Sequence, residues 1–402
     1  MEEYRIHDLR LSLIWNENLP NLLKNNIPSG VNLSFLGDQV EYVSTFNQIQ
    51  KREVQKKVIE GLQLPWPPHT GTNNFWSYYL ETRIPGHIHK STIWKKLVPF
   101  YHKIDDFNID TPSWLQGRLV FQSYIYPHSF ALIISIILNQ SLSLTLEDAV
   151  AMAFHVRRTG RFQVTSSNYP APKMLSLDEI AREGLQLLRG YILGPNAPPH
   201  EWSIKPPFSV VTVVQGSGGS KNIAPGHEVL CFLDALARWP TYDWDDPPPQ
   251  NIPGLNLNDK TRVNEGYVGD LLHITPRGRV VWYPKHFLKK IGRINKLSCY
   301  HTNLNMLSMQ IDSLGSLILN AAQEINIGNP PPPSSFYETC IKRAAINLSL
   351  LYLGGGSEKR TYRSWSAKRQ IEQNNYLEAI NIVRDQVCNL LPILATGQFR
   401  HR

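Results

Sequence analysis

Two stretches of this sequence concentrate basic side chains of the kind that bind phosphate groups. The first stretch, residues 285–296, contains no acidic residue and carries Lys285, Lys289, Lys290, Arg293 and Lys296. A helix over this stretch would align four of these five side chains along one stripe. Such a stripe is suited to the phosphates of nucleic acid or of another polyanion.

The second basic stretch, residues 359–369, mixes basic and aromatic side chains. Its basic members are Lys359, Arg360, Arg363, Lys368 and Arg369, and they alternate with Tyr362 and Trp365. Proteins that bind single strands combine charge neutralisation with base stacking in this way. A run of charge is also typical of a solvated helix face or of a surface for an acidic protein partner, and these two alternatives stay open.

A glycine-rich turn is the third candidate, as a weak phosphate site. Gly216, Gly218, Gly219 and Lys221 follow an apolar, β-branched run and precede a helical pattern, where backbone N–H groups can cradle a phosphate. The spacing departs from a P-loop, which has four residues between its glycines and Ser or Thr after its lysine; here Asn222 follows Lys221. An ordinary turn explains the same residues.

Other polar groups have the residue types of metal ligands but incomplete spacing. His227 and Cys231 are four residues apart, as two zinc ligands on a helix would be, but the sequence indicates no further ligand. His87 and His89 would share one face of a strand, and Asp243, Asp245 and Asp246 could bind a divalent cation. Exposed polar side chains explain each group more simply, so no metal and no cofactor is expected.

Catalytic signatures are equally weak. The sequence has no Gly-x-Ser-x-Gly elbow and no spaced Cys and His pair of a cysteine enzyme. Its 4 cysteines form no C-x-x-C pair, which argues against a zinc knuckle and a disulfide framework. With 10 tryptophans, the chain is expected to contribute binding surfaces rather than chemistry, although an enzyme stays open.

Composition and charge describe an ordinary globular protein with a basic balance. The 402 residues are 42% hydrophobic and carry a formal net charge of +8, which favours anionic partners. The N-terminal residues lack the pattern of a secretory signal, and the longest apolar run, residues 130–138, is about half of what a membrane span needs. We therefore expect a cytoplasmic protein without a membrane span.

The periodicity predicts an α+β fold built from three parts. Residues 1–115 give a first α/β unit, whose order of elements matches a split βαβ or ferredoxin-like unit. Residues 116–283 give a second α+β unit, and residues 284–402 a helical C-terminal domain resembling a bundle. Helices are predicted over residues 294–325, 336–353 and 364–391.

The second unit has the clearest local signals. Residues 117–125 and 130–138 predict a hairpin, and residues 208–215 predict a buried strand. A helix follows the hairpin, with Thr145 and Asp148 forming its N-cap and Gly160 ending it in the left-handed conformation. Ser176 and Glu179 predict a second capping box. Residues 225–239 predict a further helix, and residues 270–283 a last hairpin.

These observations favour a non-catalytic binding or adaptor subunit of a cytosolic assembly, in contact with nucleic acid through the two basic stretches. An antiviral or nucleic-acid-processing complex would fit this role, and protein partners are expected. The alternative is a phosphate-handling hydrolase or nuclease that uses the turn at residues 216–221.

Overall fold

The computed structural model describes the chain in segments. They are residues 5–18, 100–102, 107–115, 117–125, 129–138, 144–193, 207–217, 227–239, 271–275, 278–283, 294–329 and 362–387, with part of residues 337–352. The predicted elements of residues 19–99, including the remainder of the split βαβ unit, lie outside the described residues.

A mixed sheet of eight strands forms the centre of the fold. Its strands are β1 Arg5–Asn18, β2 Phe100–His102, β4 Gly117–Ile125, β5 Ser129–Leu138, β6 Leu144–Thr145, β9 Phe208–Ser217, β10 Leu271–Thr275 and β11 Gly278–Tyr283. Seven of them follow the order β10-β11-β9-β1-β5-β4-β2, and β6 pairs with β1. The two predicted hairpins and the predicted buried strand are confirmed by β4 with β5, β10 with β11, and β9.

Strand β1 is central to this sheet. It pairs antiparallel with β5 on one side, where Ser12 lies opposite Ser135, and with β9 on the other, where Arg10 lies opposite Thr212. The sequence pattern predicts this strand as part of a separate first unit, residues 1–115. In the structure it joins the sheet of the predicted second unit, because its apolar side chains complete the core of β5 and β9.

One face of the sheet is covered by α1 Leu146–Arg158, α2 Leu177–Leu193 and α3 His227–Arg238. Here Leu9, Leu11 and Leu13 of β1 are buried together with apolar side chains of β5 and of these helices. Both predicted capping boxes are present: Asp148 N donates to Thr145 Oγ1 at 3.0 Å, and Ser176 N donates to Glu179 Oε2 at 2.7 Å. Each box satisfies backbone donors that a helix end leaves free.

Gly160 ends α1 for a different reason from the one predicted. The C-cap is Thr159, with φ −112, and Gly160 does not adopt the left-handed conformation. Instead, a Cβ at Gly160 would overlap the backbone carbonyl of Val156. The glycine therefore permits a close approach of two backbone segments rather than a positive φ.

The other face of the sheet carries α4 Ile294–Asn326, which α5 Tyr362–Gln373 and α6 Tyr376–Val387 pack against. The far side of α4 forms an apolar core with α5, α6 and helical residues between Tyr337 and Leu348. The α+β class and the C-terminal helices are thus confirmed. The predicted helix over 364–391 is two helices, because Asn375 turns the chain with a φ of 56°.

A second, small sheet has the order β3-β7-β8. In the sequence, its first strand precedes α1 and its other two strands lie between α1 and α2. Its strands are β3 Phe107–Ile109, β7 Phe162–Ser166 and β8 Lys173–Leu175. Phe107, Phe162 and Val164 are buried and join the core beneath α1 and α2. The described fold is therefore a three-layer arrangement, with α1 to α3 on one face of the main sheet and α4 on the other.

Candidate anion-binding edge and buried polar layer

The contact between α4 and the main sheet is polar, whereas the opposite face of the sheet is apolar. Side chains at alternate positions of β1 point to alternate faces, so Asp8, Arg10 and Ser12 lie on the α4 side while the intervening leucines face α1 to α3. All three polar residues are buried. Buried polar groups of this kind require hydrogen-bond partners.

Helix α4 supplies partners for Ser12 through His301 and Asn305. His301 Nε2 lies 2.8 Å from Ser12 Oγ, and His301 Nδ1 lies 2.8 Å from Thr212 Oγ1 on β9. Asn305 Nδ2 donates to Ser12 Oγ at 3.0 Å, and Ser135 Oγ on β5 lies 2.7 Å from the same oxygen. His301 therefore bridges β1 and β9, and Ser12 of β1 contacts both α4 and β5.

A serine hydroxyl against a histidine ring is also the start of a nucleophilic site, but this pair is enclosed. Ser12 and Thr212 are 0% exposed and His301 is 3% exposed. Burial, reinforced by the nearby charge of Arg10, holds the pKa of His301 well below its ordinary value. The ring is therefore neutral at physiological pH, and the contact fixes α4 on the sheet rather than presenting a nucleophile to substrate.

Arg10 and Asp8 form a buried ion pair beside this cluster. Arg10 Nε lies 2.8 Å from Asp8 Oδ1, and Arg10 Nη2 lies 3.1 Å from Asp8 Oδ2. The two parallel contacts match the planar fork of a guanidinium to both oxygens of one carboxylate. The positive charge of Arg10 and the negative charge of Asp8 therefore offset each other beneath the N-terminal part of α4.

Two of the predicted phosphate-binding stretches begin at one edge of the main sheet. Strands β9 and β11 are parallel neighbours, with Val214 paired to Tyr283, so their carboxyl ends meet at this edge. Gly216 lies near the end of β9, and Lys285 follows β11 two residues after Tyr283. The glycine-rich turn and the first basic stretch, which looked like rival sites in the sequence, therefore depart from adjacent strands.

Gly216 lies against β1 at this edge. A Cβ at Gly216 would come within 3.3 Å of His7 Cβ, and the following residue, Ser217, pairs with Arg5 of β1. Arg5 and His7 are both partly exposed. Helix α4 begins at Ile294, so Lys296 of the first basic stretch lies in its first turn.

The second basic stretch leads into α5, which contains Arg363, Trp365, Lys368 and Arg369. Lys368 Nζ lies 4.0 Å from Glu372 Oε1, and Arg369 Nη1 lies 3.2 Å from Glu372 Oε2. Lys368 Nζ also lies 5.2 Å from the ring centroid of Tyr352. Lys368 and Arg369 thus share the one negative charge of Glu372.

Several predicted site residues lie outside the described residues. They are Gly218, Gly219, Lys221, Lys285, Lys289, Lys290, Arg293, Lys359 and Arg360, and the histidines at 87 and 89 and the acidic residues 243–246 lie outside as well. The side chains of Lys296, Arg363, Trp365, His227 and Cys231 are not described either. Among the residues that are described, no group of three His, Cys, Asp or Glu side chains could hold a metal ion.

Sequence reasoning missed the polar layer under α4. Its signal is visible in β1, where Asp8, Arg10 and Ser12 alternate with leucines. This alternation normally indicates a strand with one face in water. The complementary signal is in α4, where His301, Asn305 and Ser308 follow one another at spacings of four and three along one side of the helix.

Comparison with known proteins gives no relative: no family model, curated protein or solved structure matches this chain. None of the helices within the described segments has the length and apolar character to cross a membrane.

Proposed function

We propose that this chain is a non-catalytic binding or adaptor subunit of a cytosolic assembly and that it contacts the phosphate backbone of nucleic acid. The observation that supports the proposal is the common edge at which β9 and β11 end. The sequence continues from β9 into the glycine-rich turn and from β11 into the first basic stretch.

The position of this edge has a general physical meaning. In open sheets, ligands bind in the crevice outside the carboxyl ends of parallel strands, where successive chain segments separate. Backbone N–H groups of a glycine-rich turn and lysine side chains both favour negative charge. A site with both features fits phosphates, and an excess of positive charge over the whole chain, +8, supports an extended polyanion over a single small anion.

Helix α5 packs on α4 and contacts β11 near the amino-terminal end of that strand, at the opposite end from the common edge. Gln370 accepts a hydrogen bond from Arg279 of β11 through Oε1, and its Nε2 donates to the backbone oxygen of Ser308 in α4 at 3.3 Å. The helix that carries the second basic stretch is therefore anchored to both β11 and α4. Because Glu372 already neutralises part of its charge, we expect Trp365 stacking to contribute more than Lys368 and Arg369.

Salt-dependent binding to nucleic acid tests the proposal. Charge reversal of Lys289, Lys290 and Arg293 to Glu should weaken binding and reduce the slope of log K against log salt by roughly one per lost phosphate contact. Fluorescence anisotropy with labelled single- and double-stranded DNA and RNA at several salt concentrations gives both quantities. Trp365→Ala should weaken single-strand binding by about 1 to 3 kcal/mol with little change in slope.

A matched control carries the same change in net charge elsewhere. Arg158, Lys173 and Arg182 are exposed on α1, β8 and α2, and their reversal to Glu should alter binding much less. Equal losses of affinity in both triple variants would show that only the net charge of the protein matters, and would contradict a local site. Absence of any binding at about 50 mM salt, where the electrostatic contribution is strong, would remove the proposal and favour an acidic protein partner.

A further inference from the structure

Arg189 of α2 is a buried guanidinium that makes no hydrogen bond to a carboxylate among the described residues. The residue is 5% exposed, and its Nε and Nη1 atoms have no hydrogen-bond partner among the described residues. It lies on the apolar face of the main sheet, far in sequence from both basic stretches. Arg10, which is equally buried, meets both oxygens of Asp8.

The surroundings of Arg189 are poor in compensating groups. Helix α2 packs over β5, with Gly184 against the side chains of Leu132 and Phe121, and Leu185 and Leu188 beside Arg189 are fully enclosed. On the neighbouring helix, Arg157 also has an unbonded Nε, but its Nη2 lies 3.1 Å from Asp178 Oδ2. Arg189 thus differs from Arg10 and Arg157 in lacking a carboxylate contact within the described part of the chain.

An isolated buried cation is costly, and arginine has no way to relieve the cost by itself. Transfer of an unpaired charge out of water costs several kcal/mol, and a guanidinium does not release its proton in proteins. Its five N–H donors lie in a plane and fit two oxygens of a carboxylate or phosphate. A small oxyanion at Arg189 would supply the hydrogen-bond acceptors that the described residues do not, and its charge would add to the partial compensation from Glu17.

Glu17 is an acidic group whose pKa is lowered by the charge of Arg189. It is 8% exposed, and it lies opposite Phe130 in the register of β1 with β5. Burial raises the pKa of Glu17 to about 7, against the opposing effect of the Arg189 charge. Because part of the Glu17 population is protonated near neutral pH, this carboxyl compensates Arg189 incompletely.

We propose that Arg189 binds a small oxyanion, a carboxylate or a phosphate, in a site between α2 and the end of β1. This site is separate from the nucleic-acid contact proposed above and does not depend on it. Arg189 is the binding residue, and Glu17 is a neighbour whose negative charge competes with the ligand.

Calorimetry and thermal shift with inorganic phosphate, and separately with acetate, test this site at constant ionic strength. The parent should bind at least one of these anions, and Arg189→Gln should lose about tenfold or more in affinity because charge-assisted hydrogen bonds are removed. Arg182→Gln, on the exposed side of the same helix, should bind as the parent does. Preference for phosphate or for acetate separates the two ligand classes.

Two further variants keep the test decisive if Arg189→Gln folds poorly. Arg189→Lys keeps the charge but not the planar fork and should bind more weakly than the parent. Glu17→Gln removes the competing carboxylate and should bind at least as tightly as the parent. Absence of binding by the parent, or equal binding by the parent and by a folded Arg189 variant, would overturn the proposal.

Discussion

At the scale of single residues, Glu17 has the clearest consequence for stability. Its pKa is raised from 4.5 to about 7, with burial as the larger cause. A raised carboxyl pKa means that the folded protein holds a proton that the unfolded chain has already released. Stability is therefore lost as the pH rises through the window between these two values.

Replacing Glu17 by Gln should remove this loss. We expect the variant to gain roughly 2 to 3 kcal/mol over the parent at about pH 8 and little at about pH 4. Chemical denaturation of both proteins across this range measures the difference. Glu147→Gln, on the exposed side of α1, is the control and should follow the parent. A gain that is the same at every pH would mean that the pKa of Glu17 does not differ between the folded and unfolded states.

At the scale of elements, the contact of α4 with α6 depends on a glycine. A Cβ at Gly315 would overlap the ring of Tyr376, which begins α6, so the two helices approach closely at this point. Gly190 in α2 has nothing within 4 Å of the equivalent position. The same substitution at these two helical glycines should therefore have opposite effects.

Gly315→Ala should destabilise the protein by about 1 to 3 kcal/mol, because the added methyl group forces Tyr376 or a helix to move. Gly190→Ala should be neutral or stabilise it by up to about 1 kcal/mol through the better helix propensity of alanine. Thermal and urea unfolding of the two variants and the parent give these values. Two similar losses would argue against the close packing of α4 and α6.

Individual helices and strands were easier to predict than the contacts between them. Both capping boxes, the hairpins and α4 follow from local patterns, because each depends on residues only a few positions apart. The pairing of β1 with β9 depends on residues about 200 positions apart, and no local pattern encodes it. Likewise, Ser12 and His301 are each ordinary in their own segment, and only the packing of α4 on the sheet makes them partners.

Of the candidate nucleic-acid site, the sequence could predict residue types but not their arrangement. The common edge of β9 and β11 follows from strand order, which local periodicity does not contain. The partial neutralisation of Lys368 and Arg369 by Glu372 could have been read from helical spacing, since these residues lie four and three positions before it.

At the scale of the whole molecule, the polar layer joins the sheet to the C-terminal helices. Ser12→Ala would leave His301, Asn305 and Ser135 each short of one partner, at a cost of about 1 to 3 kcal/mol. Helix α4 takes part in both the polar layer and the C-terminal core. We therefore expect the loss of stability to affect both the main sheet and the C-terminal helices.

Hydrogen exchange with mass spectrometry tests this coupling. In Ser12→Ala, peptides from β5 and from α6 should lose protection by the same free energy, because both open in one cooperative unit. Ser167→Ala, at an exposed turn, should change neither by more than about 0.5 kcal/mol. Loss of protection in β5 alone would show that the predicted C-terminal domain, residues 284–402, unfolds independently.

The central place of β1 also sets an order of events during synthesis. Residues 5–18 leave the ribosome well before β5, residues 129–138, and before β9, residues 208–217, which occupy its two edges. At about 5 to 20 residues per second, the strand waits on the order of 10 to 40 seconds for β9. Throughout that interval an apolar strand has at least one edge without its final partner, which makes the nascent chain a client for chaperones and exposes it to aggregation.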